Sequence, residues 1–162
     1  MAGADSTGRT GSFVESTEGE EKRIRAKLLR MDARTRTAFA LLIVAQAAHS
    51  VEEYEFRLFD VFGPARFVSR LFSSDAATGF AVANIGLVLF GVWCYVARVR
   101  TLHPSAPVYA WCWTCLELAN GIGHLALSMS RGGYFPGVGT APLLVASAGY
   151  LGGRLVGWGR TA

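Results

Sequence analysis

Charge runs out early in this sequence. Of its 16 Lys and Arg residues, eight precede residue 37, as do six of its 12 Asp and Glu residues. Charged residues make up 17% of the 162 positions and hydrophobic residues 51%, so the chain beyond residue 36 is far more apolar than its average. That distribution points to a membrane protein. Cysteine is also scarce. The three present, Cys94, Cys112 and Cys115, lie in apolar segments, and an odd count without an extracellular framework argues against structural disulfides. Cys112-Trp-Thr-Cys115 has redox spacing, but in an apolar helix it reads as two small hydrophobes that pack. The basic run 22–36 lacks interleaved aromatics and the formal net charge is only +4, which excludes nucleic acid as the expected partner. A basic stretch beside a hydrophobic segment suits an anionic bilayer surface instead.

The opening residues lack the basic start and apolar core of a signal peptide. Residues 1–20 are rich in Gly, Ser, Thr and acids and are expected to be disordered. Residues 21–36 hold helix formers, with Ile24, Leu28 and Leu29 at helical spacing, and predict a short basic helix on the membrane surface. Residues 1–35 thus form a cytoplasmic tail and residues 36–160 a transmembrane domain. Four apolar segments follow the tail, at about 37–56, 76–97, 107–130 and 138–158. The last three approach the ~20 residues a bilayer core requires. The expected fold is an all-α, integral membrane four-helix bundle. A soluble bundle is the competing fold, but the second and fourth segments lack the polar stripe it needs.

Basic residues set the orientation. Eight precede the first span, and the excess predicts that both termini are cytoplasmic in a plasma or inner membrane. Residues 64–72, with Arg66 and Arg70 among Phe67, Leu71 and Phe72, predict an amphipathic interfacial helix on the outer side. Gly149, Gly153 and Gly157 recur every four residues and predict close helix packing, within the chain or by self-association.

Ionisable residues inside the apolar segments are the functional signal. His49, Glu52 and Glu53 stand at i, i+3 and i+4 and project from one helix face. Glu117, Asn120 and His124 share a face of the third span. Counting ~1.5 Å per residue from the inner ends puts His49 about 18 Å in, Glu52 and Glu53 about 23 Å, Glu117 about 15 Å, Asn120 about 20 Å and His124 about 26 Å. Asn84 on the second span falls at a similar depth. Charges there cost ~2.5–3.5 kcal/mol each, so such residues need partners. Glu117, the deepest acid, is expected to face inward, paired with His49 or with a cation.

Two chemistries fit. His49, Glu53, Glu117 and His124 are ligand types for a divalent metal such as iron, manganese or zinc. Without a metal, His49, Glu52, Glu53, Glu117 and His124 form an acid–base centre, with Glu117 as general acid and Asn84 and Asn120 orienting bound groups.

The tracts His49-Ser-Val-Glu52-Glu53, Asn120-Gly-Ile-Gly-His124 and Tyr134-Phe-Pro-Gly-Val-Gly-Thr140-Ala141 resemble the HXXEE family of small multi-span membrane proteins. The resemblance covers about residues 40–145 and implies a helical membrane domain, without an activity to carry over. Pro136-Gly137 reads as a type II-like turn before the fourth span, either a purely structural turn or a lid over the polar layer. The functional expectation is a small membrane enzyme acting on a lipophilic, isoprenoid-like substrate, of cyclase, isomerase or metal-dependent type. Cation or proton binding or transport, and purely structural packing, are the alternatives.

Overall fold

The computed structural model describes the backbone of residues 31–160 and side chains to residue 157. The expected disordered segment, and the expected basic helix as far as residue 30, lie outside the described residues. Among those described there is no strand. The chain forms α1 (Ala33–Glu55), a short α2 (Leu58–Val61), α3 (Gly63–Phe72), α4 (Ala76–Cys94, running on as a π-helical turn Tyr95–Val99), α5 (Ala106–Arg131) and α6 (Ala141–Arg160).

Local chemistry sets the ends. Asp32 caps α1, its carboxylate accepting from Thr35 N at 2.8 Å, and Asp75 caps α4 by accepting from Thr78 N at 2.8 Å. Pro64 and Pro107 occupy the first turns of α3 and α5, where a missing N–H costs nothing. Gly132 ends α5 in the left-handed region at φ 66°. Two boundaries differ from expectation. The first long helix begins at Ala33 because Asp32 supplies a cap upstream of the apolar run. The fourth begins at Ala141, because residues 138–140 belong to the preceding turn.

The four long helices enclose two apolar clusters. The larger joins Phe39, Leu42 and Ile43 of α1 to Cys94 and Val99, to Ala110 and Trp113 of α5, and to Leu144 and Leu151 of α6. The smaller, near the other end, joins Leu58, Phe59, Phe80 and Phe135. Between them lies a layer of buried polar side chains: Gln46, His49, Ser50, Glu53, Glu117 and His124. α1 packs between α4 and α6, and α5 packs along α6. The α5–α6 approach is closest at Gly121, where a Cβ would sit 2.7 Å from Val145 Cγ2. At Gly149, Gly153 and Gly157, in contrast, an added Cβ would meet nothing within 4 Å.

The outer surface of the long helices is apolar. Leu41, Val44, Ile85, Leu89, Val108, Ile122 and Leu143 are all exposed by more than half. One helix, Ala76–Val99, is long and apolar enough by itself to cross a membrane. α3 is a helix where an amphipathic one was expected. Arg66, Phe67, Arg70, Leu71 and Phe72 are exposed, and its one buried residue, Ser69, packs against Gly79 of α4.

Candidate metal centre

Three side chains converge at the junction of α1, α5 and the 132–140 loop. Glu53 Oε1 lies 3.0 Å from His124 Nε2 and 3.5 Å from His49 Nε2. The imidazoles meet edge to face with centroids 4.7 Å apart. One ligand atom from each of the three residues falls within 4.8 Å of the others, and all three side chains are buried. His49 and Glu53 are one helical turn apart on α1, so the helix alone presents both to the same point. His124 arrives from α5.

The far side of each ring fixes its tautomer. His124 Nδ1 lies 2.6 Å from the Pro136 carbonyl oxygen, which only accepts, so this nitrogen carries the proton. His49 Nδ1 lies 2.8 Å from Thr140 Oγ1. The Thr140 hydroxyl donates its own proton to Glu52 Oε2 at 2.5 Å, so it accepts from His49. Both rings therefore turn Nε2 toward Glu53, as a lone pair on a neutral ring or as an N–H on an imidazolium. His49 Nε2 is buried without a hydrogen-bond partner. A cation among the three donors, either a metal ion bound to both Nε2 atoms and the carboxylate or a proton shared between Nε2 and Glu53, relieves their mutual repulsion. Ligand bonds of about 2.1 Å put neighbouring donors roughly 3.0 Å apart at right angles and roughly 3.4 Å apart in a tetrahedron. The observed 3.0 and 3.5 Å lie close to those spacings.

The loop that orients the rings is held by the motif's other carboxylate. Glu52 accepts from Tyr134 OH at 2.6 Å, Gly139 N at 2.9 Å and Thr140 N at 2.6 Å, besides the Thr140 hydroxyl. Val138 N donates to Phe135 O at 3.0 Å, closing the expected Pro136-Gly137 turn with Gly137 at φ 94°. A Cβ on Gly137 would lie 2.5 Å from His124 Nδ1 and 2.9 Å from His49 Cε1. The bare backbone here is a wall against both imidazoles.

Of the residues expected at the site, His49, Glu53 and His124 come together. Glu52 is turned away to the loop. Glu117, fully buried, stands outside the group of three. Its carboxyl meets the side-chain amide of Gln46 at 2.6 Å, and the same amide reaches Ser50 Oγ at 3.0 Å. Glu117 meets Gln46 and not the expected His49, because packing sets α1 so that Gln46, one turn before His49, stands level with it. From the helix starts, His49 lies about 24 Å along α1 and His124 about 27 Å along α5, whereas Glu117 lies about 17 Å along and matches Gln46 at about 20 Å. Asn84 accepts from Ser50 Oγ at 2.7 Å and donates to Phe80 O at 3.1 Å, so it extends the Glu117 network and does not reach the histidines. Asn120 stands on the same wall as Glu117, lining a cavity of about 420 Å³ between α3, α4 and α5 that Glu53 and His124 also border.

Sequence reasoning passed over Gln46, Ser50 and Thr140 as site components. Gln46 and Ser50 share the helix face of His49 and Glu53, which was a usable signal. Thr140 and the Pro136 carbonyl had none in periodicity, since a loop places them.

No curated protein and no solved structure matches the chain. A family model described as "Protein of unknown function with HXXEE motif" matches residues 40–151, which take in α1, α5, the ring-orienting loop and all three converging side chains. This chain belongs to the HXXEE family.

Proposed function

We propose that this protein is an integral membrane metalloenzyme whose divalent metal is held by His49, Glu53 and His124 and whose substrate is lipophilic. The carrying observation is the pair of imidazoles with Nδ1 bonded outward and Nε2 aimed at one carboxylate oxygen. Second-shell bonds of this kind set ring orientation and basicity in metal sites. Two histidines and one carboxylate leave coordination positions open, the pattern of catalytic zinc and non-haem iron centres. A metal there supplies Lewis-acid chemistry at a substrate oxygen. Glu117, one helix face inward on the shared cavity, serves as the proton source, and Asn84 and Asn120 orient polar groups.

Several features support the membrane setting. Large apolar side chains are exposed along all four long helices, and the mid-helix polar residues Gln46, His49, Ser50 and Glu53 of α1 and Thr114, Glu117 and His124 of α5 are buried. A four-span topology with both termini cytoplasmic follows from the basic excess before residue 37.

The test is metal analysis of detergent-purified protein. The expected result is near one equivalent of iron, zinc or manganese per chain, lost in His49→Ala, Glu53→Ala and His124→Ala. Wild-type protein that takes up none of these metals, with thermal unfolding unmoved by adding them, overturns the proposal. Proton flux through liposomes bearing such metal-free protein points instead to a relay built from the same layer.

A further inference from the structure

α4 and α5 border one another without closing. They meet chiefly through the π-helical end of α4, and farther along, the cavity of about 420 Å³ opens between them. Its mouth is framed by Ala83 and Leu87 of α4 and by Leu116 and Ala119 of α5, and both α5 residues are exposed. These positions lie mid-helix, in the apolar outer surface. α3 walls one side with Phe62, Ala65 and Val68.

The far wall is polar. Glu53 and His124 of the converging triad border the cavity, with Glu117, Gln46, Asn84 and Asn120 beside them. Two glutamates line the chamber and, among the described residues, no Lys or Arg does. An apolar chamber of this volume suits a ligand of ordinary small-molecule size. Its polar wall decides the head group. The two acids balance the charge of the proposed divalent metal. A phosphate or carboxylate head would therefore add an uncompensated negative charge, with no Lys or Arg among the described lining residues to meet it, and an ammonium head an uncompensated positive one. A neutral oxygen, by contrast, finds amide donors and carboxyl acceptors on Asn120, Gln46 and Glu117.

We infer that the chamber is a binding site for a long-chain neutral lipid bearing an alcohol or carbonyl oxygen, which enters sideways from the bilayer between α4 and α5 and sets its oxygen beside Glu53 and His124. The inference builds on the proposed membrane setting and metal centre, and it narrows the substrate from any lipophile to one without an anionic head.

A diazirine-bearing hexadecanol provides the test. Protein in detergent is photolabelled and the adducts are mapped by mass spectrometry, with hexadecanol, hexadecanoic acid, hexadecyl phosphate and hexadecylamine as competitors. Labelling should concentrate on residues 83–87 and 116–120. Hexadecanol should displace it at least tenfold better than the acid, the phosphate or the amine. Ala119→Trp, which fills the mouth from an exposed position, should cut labelling at least tenfold, while Ile122→Trp, on the exposed face one turn along, should leave it unchanged. Labelling spread evenly over the apolar surface, equal displacement by the acid, the phosphate or the amine, or indifference to Ala119→Trp overturns the inference. Metal content is read in the same samples. Loss of metal with the labelling pattern intact refutes the metal centre and spares the chamber, whereas full metal with scattered labelling does the reverse.

Discussion

Adjacent glutamates in one helical turn take different roles here because the helix points them 100° apart. Glu53 faces the two imidazoles and Glu52 faces the loop that holds those imidazoles in place. Replacement should separate the roles. Glu53→Gln is expected to abolish metal uptake while leaving the helices intact. Glu52→Ala removes the acceptor of two backbone N–H groups and two hydroxyls and should destabilise the fold by about 2–3 kcal/mol, read by thermal unfolding in detergent. Thr140→Val removes the acceptor of His49 Nδ1–H without moving a ligand. Metal affinity should fall about 10–100-fold with unchanged circular dichroism, and Thr140→Ser should restore it. Gly137→Ala tests the backbone wall. A side chain at φ 94° is strained by ~1–2 kcal/mol, and its methyl group would overlap both rings, so metal binding should be lost while the α-helical signal persists.

At the scale of the element, α1 carries the most. It begins at Asp32, whose carboxylate accepts from Thr35 N and Oγ1 and pairs with Arg154 of α6. The Thr35 hydroxyl bond, more than any other contact, holds the Asp32 carboxyl below its ordinary value of 3.8. A lowered native value means that the stabilisation is complete above about pH 4 and fades as the pH falls through that lowered value. Asp32→Ala should therefore cost about 1 kcal/mol at neutral pH, and the gap between wild type and variant should narrow on acidification. A gap constant from pH 6 to pH 2 refutes the role given to the carboxylate. The height at which α1 packs beside α5 sets the register of the candidate site, at ~1.5 Å per residue, and brings His49 level with His124 and Gln46 level with Glu117. The 132–140 loop works differently, as a rigid clip: six of its bonds run to three side chains, His49, Glu52 and His124, on two helices.

Across the described residues, a polar layer lies between two apolar clusters, and large apolar side chains are exposed along the long helices. The proposed membrane setting predicts that the protein stays in the pellet after carbonate extraction. Single cysteines introduced at Ser105 and at Gly133 in a cysteine-free background should label from opposite sides of sealed vesicles. Recovery in the soluble fraction, or labelling of both from one side, counts against the four-span topology.

Four long helices were legible in the chain because apolar runs are local features that hold whatever the helices pack against, while the cap at Asp32, upstream of its run, started α1 earlier than expected. The ligand candidates were legible for the same reason, since a histidine and a carboxylate four residues apart share a helix face in any context. Which carboxylate meets which histidine was not. That depends on the relative heights of α1 and α5, to within one turn, and on a loop whose Pro136 carbonyl and Thr140 hydroxyl reach the imidazoles from positions 87 and 91 residues after His49. The glycines of α6 carry the same lesson. Their spacing marks a smooth helix face, and packing placed that face outside while Gly121 took the close contact. Sequence determined that this protein has helices carrying His49, Glu53, Glu117 and His124 inward. Tertiary structure decided that three of these converge and the fourth borders the adjoining chamber, because periodicity specifies a direction around a helix axis and only packing specifies the height along it.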